Sequence, residues 1–254
     1  MPDNRPVTAR FYAPDAQHVD DVIQLPSEEA EHLARVLRLK SGAAIRVFNG
    51  RGNEFEGVVE SVTGGRVAVR VGTARAAVSE PRVAVTLAQA VLKGDKMDDV
   101  VRDAVMMGVA AIQPVVTARS EVALATLERG RRRDRWQRIA ISSAKQCGRA
   151  MVPQVLAPCA FPDIAAALAQ LTLPGPALML VEPSASAETA TLGDLPAPSR
   201  ETTLLIGPEG GWTVEEIDRG AASARLVTLG ARTIRADAMA LVALAALFAT
   251  WREF

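Results

Sequence analysis

The stretch LLIGPEGGWTVEEID, residues 204–218, holds the residues best placed to do chemistry. An apolar run leads into a glycine-rich loop, and Thr213 followed three residues later by Glu216 matches a capping box, so a helix begins just after the glycines. Strand, tight loop and helix N-terminus normally bind an anion, because unpaired N–H groups and the positive helix end favour one. Here GxxxxGK[ST] and GxGxxG are both absent, and Glu209 stands in the loop. A phosphate about 4 Å from that carboxylate would be opposed by up to about 4 kcal/mol at surface-like dielectric. A ligand with a neutral ring, hydroxyls and a positive centre suits the loop better, with Gly207, Gly210 and Gly211 letting the main chain come close. The plainer alternative is that Glu209 only bonds loop N–H groups and the glycines only turn the chain.

A second loop of the same kind lies in LVTLGARTIRADAMALVALAALF: a strand, Gly230, a short segment carrying Arg232 and Arg235, then a nearly all-apolar helix. Open α/β sheets bind ligands at the carboxyl ends of their strands, so the two bends are expected to meet in one pocket.

The elements that would position these loops fall into two parts. Residues 44–71 read as short alternating strands, AIRVF, EGVVESV and RVAVRV, separated by the turn sequences NGRGN and TGG. Ahead of them, PSEEAEHLARVLRLKSG predicts one helix with Ser27 as N-cap, packed by Leu33, Val36 and Leu37. The pattern changes at AAVSEP, and apolar strands then alternate with helices. Met97, Val100, Val101, Ala104 and Val105 form one helix face ended by Gly108; Trp136, Ile139, Ala140, Ser143 and Cys147 form another stopped by Gly148. Strands are predicted at VAVTLAQAV, AAIQPVV, PQVLAP, ALMLVEP, TLLIGP and RLVTLG, giving a largely parallel α/β sheet with helices on both faces. PSASAETATLGDLPAPSR, rich in small polar residues and proline, is predicted to be a surface loop.

Composition narrows the function classes. The chain has 254 residues, 49% apolar and 23% charged, with zero net charge, which excludes disorder and a uniformly basic protein. MPDNRPVTARFYAP has no apolar core of signal-peptide length, so an unprocessed, cytoplasmic chain is expected. The run Ala238 to Trp251 is shorter than the roughly 20 residues a membrane span needs and reads as a buried or interface helix. Cys147 and Cys159 lack CxxC spacing, and His18 and His32 lack an HExxH pattern, so neither a disulfide framework nor a metal site is expected. Arg129, Arg131, Arg132, Arg133, Arg135 and Arg138 form a local cationic run, either a solvated face or a contact for an anionic partner.

IGPEGGW and LGARTIRAD, with KGDKMDDVVRDAVMMGV and RWQRIAISSAKQCGRAMVPQV before them and RFYAP, HLARVLR and FNGRGNEFEG nearer the start, resemble the SPOUT-class small-subunit ribosomal RNA methyltransferases that methylate uridine N3 in 16S RNA. The likeness covers nearly the whole chain. It implies an α/β fold with a PUA-like β-barrel RNA-binding domain over residues 1–76 and a SPOUT domain, tied in a deep trefoil knot, over residues 77–254. It further implies a homodimer, S-adenosyl-L-methionine as donor, and 16S ribosomal RNA or the small subunit as partner. The donor would be held by Ile206, Gly207, Pro208, Glu209, Gly210 and Gly211 from the first bend, and by Leu229, Gly230, Ile234 and Arg235 from the second. This chain departs from the family pattern in having Arg235, Ala236, Asp237, Ala238 and Met239 where Arg-Thr-Glu-Thr-Ala is usual, and Lys145 where a glutamate is common. Its Asp103–Gly108 run, DAVMMG, stands where Lys-Ala-Thr-Glu-Leu-Gly is usual.

Methylation at uracil N3 requires removal of its proton, stabilisation of the imide anion and alignment with the methyl donor. Arg232 or Arg235 is expected to supply the positive charge, with Asp237 and Glu209 as carboxylates for proton acceptance or sulfonium contact. Arg10, Arg35, Arg38, Lys93 and Lys96 are expected to grip RNA, with Arg131 to Arg133 on its backbone. Tyr12 or Phe48 would stack on bases unless packed in the core. Two alternatives stand beside this reading: a SPOUT methyltransferase acting on another RNA position, and a non-catalytic RNA-binding dimer of the same fold.

Overall fold

Alternating apolar residues in the first part of the chain build a small sheet. The computed structural model describes residues 9–169, 176–183, 189–198 and 200–253, arranged as two units: the chain through Glu80 together with Ala144–Val152, and Pro81–Ser143 together with the chain from Pro153 onward. The first unit contains β1 (Arg10–Tyr12), β2 (Val22–Gln24), α1 (Ser27–Glu31), β3 (Ala44–Phe48), β4 (Glu54–Thr63) and β5 (Arg66–Arg75). Its sheet runs β1-β3-β4-β5-β2, with β1 parallel to β3 and the other neighbours antiparallel. Inward positions such as Ile45, Val47, Val69 and Val71 are fully buried with Phe11 and Leu33. Gly64 and Gly65 both take positive φ in the β4–β5 turn, the backbone a two-residue hairpin requires.

The predicted helix after Pro26 is shorter and differently wound. Pro26, not Ser27, occupies the N-cap position, and no side chain caps this end. From His32 to Val36 the backbone winds as a π-turn, with Leu37 N–H donating to His32 O at 3.0 Å. That extra residue per turn rotates the later positions: Leu33 is buried, but Val36 and Leu37, expected to pack, are 64% and 41% exposed.

Arg10 ties Ala144–Val152 into this unit. Its Nη1 donates to Ala144 O at 3.1 Å and Lys145 O at 3.2 Å, and its Nη2 to Gly148 O at 3.3 Å and Arg149 O at 2.8 Å. Nε and Nη2 also bind Glu54 Oε2 at 3.1 and 2.9 Å, and the guanidinium lies 3.8 Å from the Phe48 ring centre. These carbonyls belong to a helix end and its continuation, where intrahelical donors run out and a cation is favoured. Arg10, expected to grip RNA, is thus an internal clamp, only 12% exposed. Phe48 beneath it is fully buried and cannot stack on a base. Lys145, at the position where a glutamate is common, pairs with Glu29 at 2.7 Å.

The second unit contains β6 (Ala84–Ala90), α2 (Lys96–Met107), β7 (Ala111–Val116), α3 (Leu124–Arg129), and α4 (Arg132–Cys147), whose last turn belongs to the first unit. It continues with β8 (Gln154–Val155), β9 (Cys159–Ala160), α5 (Phe161–Ala169), β10 (Ala177–Leu180), β11 (Ala190–Thr191), β12 (Glu201–Ile206), α6 (Val214–Ala221), β13 (Ala224–Thr228) and α7 (Ala236–Trp251). The sheet order is β11-β13-β10-β12-β6-β7-β8, with β9 beside β7 and every pair parallel. On one face Phe161, Ile164 and Leu168 of α5 and Ile217 of α6 cover Ala88, Met179 and Leu205. Strand alternation sends Leu87 and Leu204 to the other face, where α2 packs against α7. All five residues expected on the α2 face are buried, and Gly108 ends the helix at φ 107°.

The segment expected to be wholly surface loop is partly core. Leu192 and Leu195 are buried, and Leu195 O accepts a hydrogen bond from the Trp251 indole at 3.1 Å. Two isolated leucines among small polar residues carry no periodic signal, and it is α7 that covers them. Residues 184–188 and 199 of that segment lie outside the described residues.

Candidate active site

Because β10 sits between β12 and β13, the carboxyl ends of three strands stand side by side. The bends that follow β12 and β13 close on one cavity of about 390 Å³. Ile206, Gly207, Pro208, Glu209 and Gly211 form one wall, and Leu229, Arg232, Ile234 and Arg235 another. Gly210 and Gly230 shape the bends without lining the cavity. The residues after β10, Val181, Glu182 and Pro183, complete the enclosure together with Trp212 and Met239. Sequence reasoning missed these; only the GGW spacing offered a signal, for Trp212.

The glycines serve the chain's own packing. A β-carbon at Gly207 would lie 3.0 Å from Trp212 Nε1, and one at Gly210 3.2 Å from Arg119 Cβ. Gly211 has φ 68°, a conformation that favours glycine. The loop is then fastened from both sides. Arg119 Nη1 donates to Gly210 O at 2.6 Å and Trp212 O at 3.1 Å, while the Trp212 indole donates to Leu180 O at 2.7 Å. Both arms of the capping box are present: Glu216 N–H donates to Thr213 Oγ1 and Thr213 N–H to Glu216 Oε2. The other Glu216 oxygen accepts Ala118 N–H at 2.8 Å, tying the start of α6 to the segment after β7.

Both carboxylates expected to accept a proton or contact the sulfonium are ion-paired. Glu209 Oε1 receives Lys96 Nζ at 2.9 Å and the Lys93 N–H at 3.3 Å. Partial burial pushes the Glu209 pKa up, but the Lys96 bond and the loop N–H groups outweigh it, leaving the value below the ordinary glutamate range. Asp237 is bonded by Arg235 at 2.6 and 3.0 Å, and that guanidinium lowers its pKa too. A lowered pKa makes each carboxylate a weaker base, and each is held as an anion beside its cationic partner. The stabilisation that Glu209 contributes is present above its unfolded pKa and is lost as pH falls through the lower folded value. Thermal denaturation of Glu209→Gln should therefore show a deficit that is constant above about pH 5 and fades as pH falls below the ordinary glutamate range.

The remaining cations expected at RNA lie on the surface. Arg35 is exposed and pairs with Glu31 at 2.6 Å, while Arg38 is exposed with φ 53°. Lys93 Nζ pairs with Glu121 at 3.1 Å. Arg131, Arg132 and Arg133 are exposed, although Arg133 Nε donates to Val155 O at 3.0 Å. Tyr12 is half-buried, 5.6 Å from the Phe48 ring. Among the described residues, no group of three or more His, Cys, Asp or Glu is placed to hold a metal, and no helix is long and apolar enough to cross a membrane.

Comparison with known proteins agrees with this architecture. An RNA methyltransferase domain matches residues 79–248, and an RNA methyltransferase PUA domain matches residues 25–72. The chain is 30% identical over 243 residues to a ribosomal RNA small subunit methyltransferase E of Synechocystis sp., covering 93% of this chain and 76% of that one. It is 28% identical over 229 residues to the Bacillus subtilis protein of the same name, covering 88% of each. A solved ribosomal RNA small subunit methyltransferase E from Neisseria gonorrhoeae, bound to S-adenosyl methionine, superposes with a TM-score of 0.84 at 31% identity, covering 96% of this chain and 98% of that one. The chain thus belongs to the RNA methyltransferase family, in the SPOUT α/β-knot class with a PUA-like N-terminal domain.

Proposed function

We propose that this chain, as a cytoplasmic homodimer, methylates N3 of a uridine in 16S ribosomal RNA with S-adenosyl-L-methionine as donor. The observation that carries this reading is the meeting of both glycine bends in one cavity at the carboxyl ends of β10, β12 and β13. The lining fits the donor: Leu180, Ile206, Leu229, Ile234 and Met239 offer apolar walls for a flat ring, and Glu182, Glu209 and Asp237 face a cation. The named relatives above, and the donor bound to one of them, support the same reading.

Bound there, S-adenosylmethionine supplies an electrophilic methyl group on a positively charged sulfur. Arg232 supplies the opposite element, a permanent cation beside the uracil carbonyl oxygens on which the imide charge collects. Arg235 is already engaged by Asp237 and orders the second bend. Lys96 holds Glu209 and with it the first bend. Residues 1–76 serve as the RNA-gripping domain, with Arg35 and Arg38 outward, and residues 77–254 as the catalytic domain. The partly exposed face of α7, including Val242, is the surface for a second copy.

The test is incubation of the protein with labelled S-adenosylmethionine and 30S subunits or naked 16S RNA, followed by nucleoside mass analysis. Label in 3-methyluridine is expected. Label in another nucleoside moves the target position, and absence of donor binding removes the enzymatic reading.

A further inference from the structure

Six charged side chains line the cavity: Lys96, Arg232, Arg235, Glu182, Glu209 and Asp237. Four of them neutralise each other in two pairs, Lys96 with Glu209 at 2.9 Å and Arg235 with Asp237 at 2.6 Å. One acid and one base remain, Glu182 and Arg232, and among the described residues neither makes an ion pair or a side-chain hydrogen bond. A cavity that keeps one charge of each sign unmatched is arranged for a guest, or two guests, of the complementary signs.

The backbone that carries Glu182 is anchored at the end of β10. Glu182 follows β10 by two residues, and the Trp212 indole bonded to Leu180 O fixes that strand end. Its carboxylate lies against the backbone of Gly211, where a β-carbon would come within 2.8 Å of Oε1. Arg119 Nη1, which would lie 3.9 Å from a β-carbon at Gly211, is bonded to Gly210 O and Trp212 O.

We infer that Glu182 selects the charged methyl donor over the neutral by-product of transfer, an inference that rests on the donor proposed above. When the methyl group passes to N3, the S–CH₃ bond breaks and its electron pair stays on sulfur, so the sulfonium becomes a thioether. The uracil proton leaves separately. A carboxylate at the cavity wall attracts the sulfonium and has no such hold on the thioether, so Glu182 favours loading with fresh donor and release of spent nucleoside. The α-ammonium group is common to both molecules and cannot supply this distinction.

The experiment is calorimetric titration of the parent and of Glu182→Gln with S-adenosylmethionine and with S-adenosylhomocysteine, with thermal melts to verify folding. The near-isosteric Gln removes charge alone. Glu182 is exposed, so the expected loss is about three- to tenfold in affinity for S-adenosylmethionine, with little change for S-adenosylhomocysteine. Equal losses for both ligands, or none for either, overturn the inference while leaving the donor site intact. A parent that binds neither ligand overturns the proposed function and this inference together, and is seen before any variant is compared.

Discussion

Arg232→Ala is expected to lower the rate of methyl transfer by about 10²- to 10³-fold, the range for removing one preorganised donor from a developing anion. Arg235→Ala should cost far less, about tenfold or below, because that guanidinium is bonded twice by Asp237. Sequence alone could not separate the two arginines. The basis for the proposed difference is that both line the cavity, but of the two Arg232 has no acidic partner among the described residues. Single-turnover rates with 16S RNA, with donor affinity measured separately, check the difference. A larger loss for Arg235→Ala would reverse the assignment, and unchanged rates in both would remove arginine from the chemistry.

Arg10→Ala should destabilise the first unit by about 3–5 kcal/mol, the usual effect of removing one member of a buried charge pair. The variant leaves Glu54, whose side chain is 8% exposed, with an uncompensated charge, and deprives four backbone carbonyls of their donor. Arg10→Lys should recover only part of this, because a point ammonium cannot serve five acceptors in a planar fork. Urea denaturation followed by far-UV circular dichroism checks both variants. A loss below about 1 kcal/mol for Arg10→Ala would place Arg10 among ordinary surface residues.

What sequence revealed here was mostly local. The α2 face, the capping box at Thr213 and Glu216, and the two glycine bends are each written within one or two turns of chain. What it concealed depends on distant partners or on winding. Arg10 meets carbonyls more than 130 positions away, so nothing beside it in the sequence marks it as internal. The single-residue surplus of the π-turn turned Val36 and Leu37 outward although their spacing fits a helix face. Glu182 belongs to the cavity only because β10 is inserted between β12 and β13, and hydrophobic periodicity finds strands without ordering them.

The indole beneath the first bend couples two positions of the chain. Trp212 is held there, bonded to Leu180 O and tilted against Phe161 with ring centres 5.1 Å apart. A β-carbon at position 207 would therefore sit 3.0 Å from the indole nitrogen, so the ring would have to give by a few tenths of an ångström to admit one. A smaller residue at 212 would free that space, and position 207 could then carry a side chain at the mouth of the cavity.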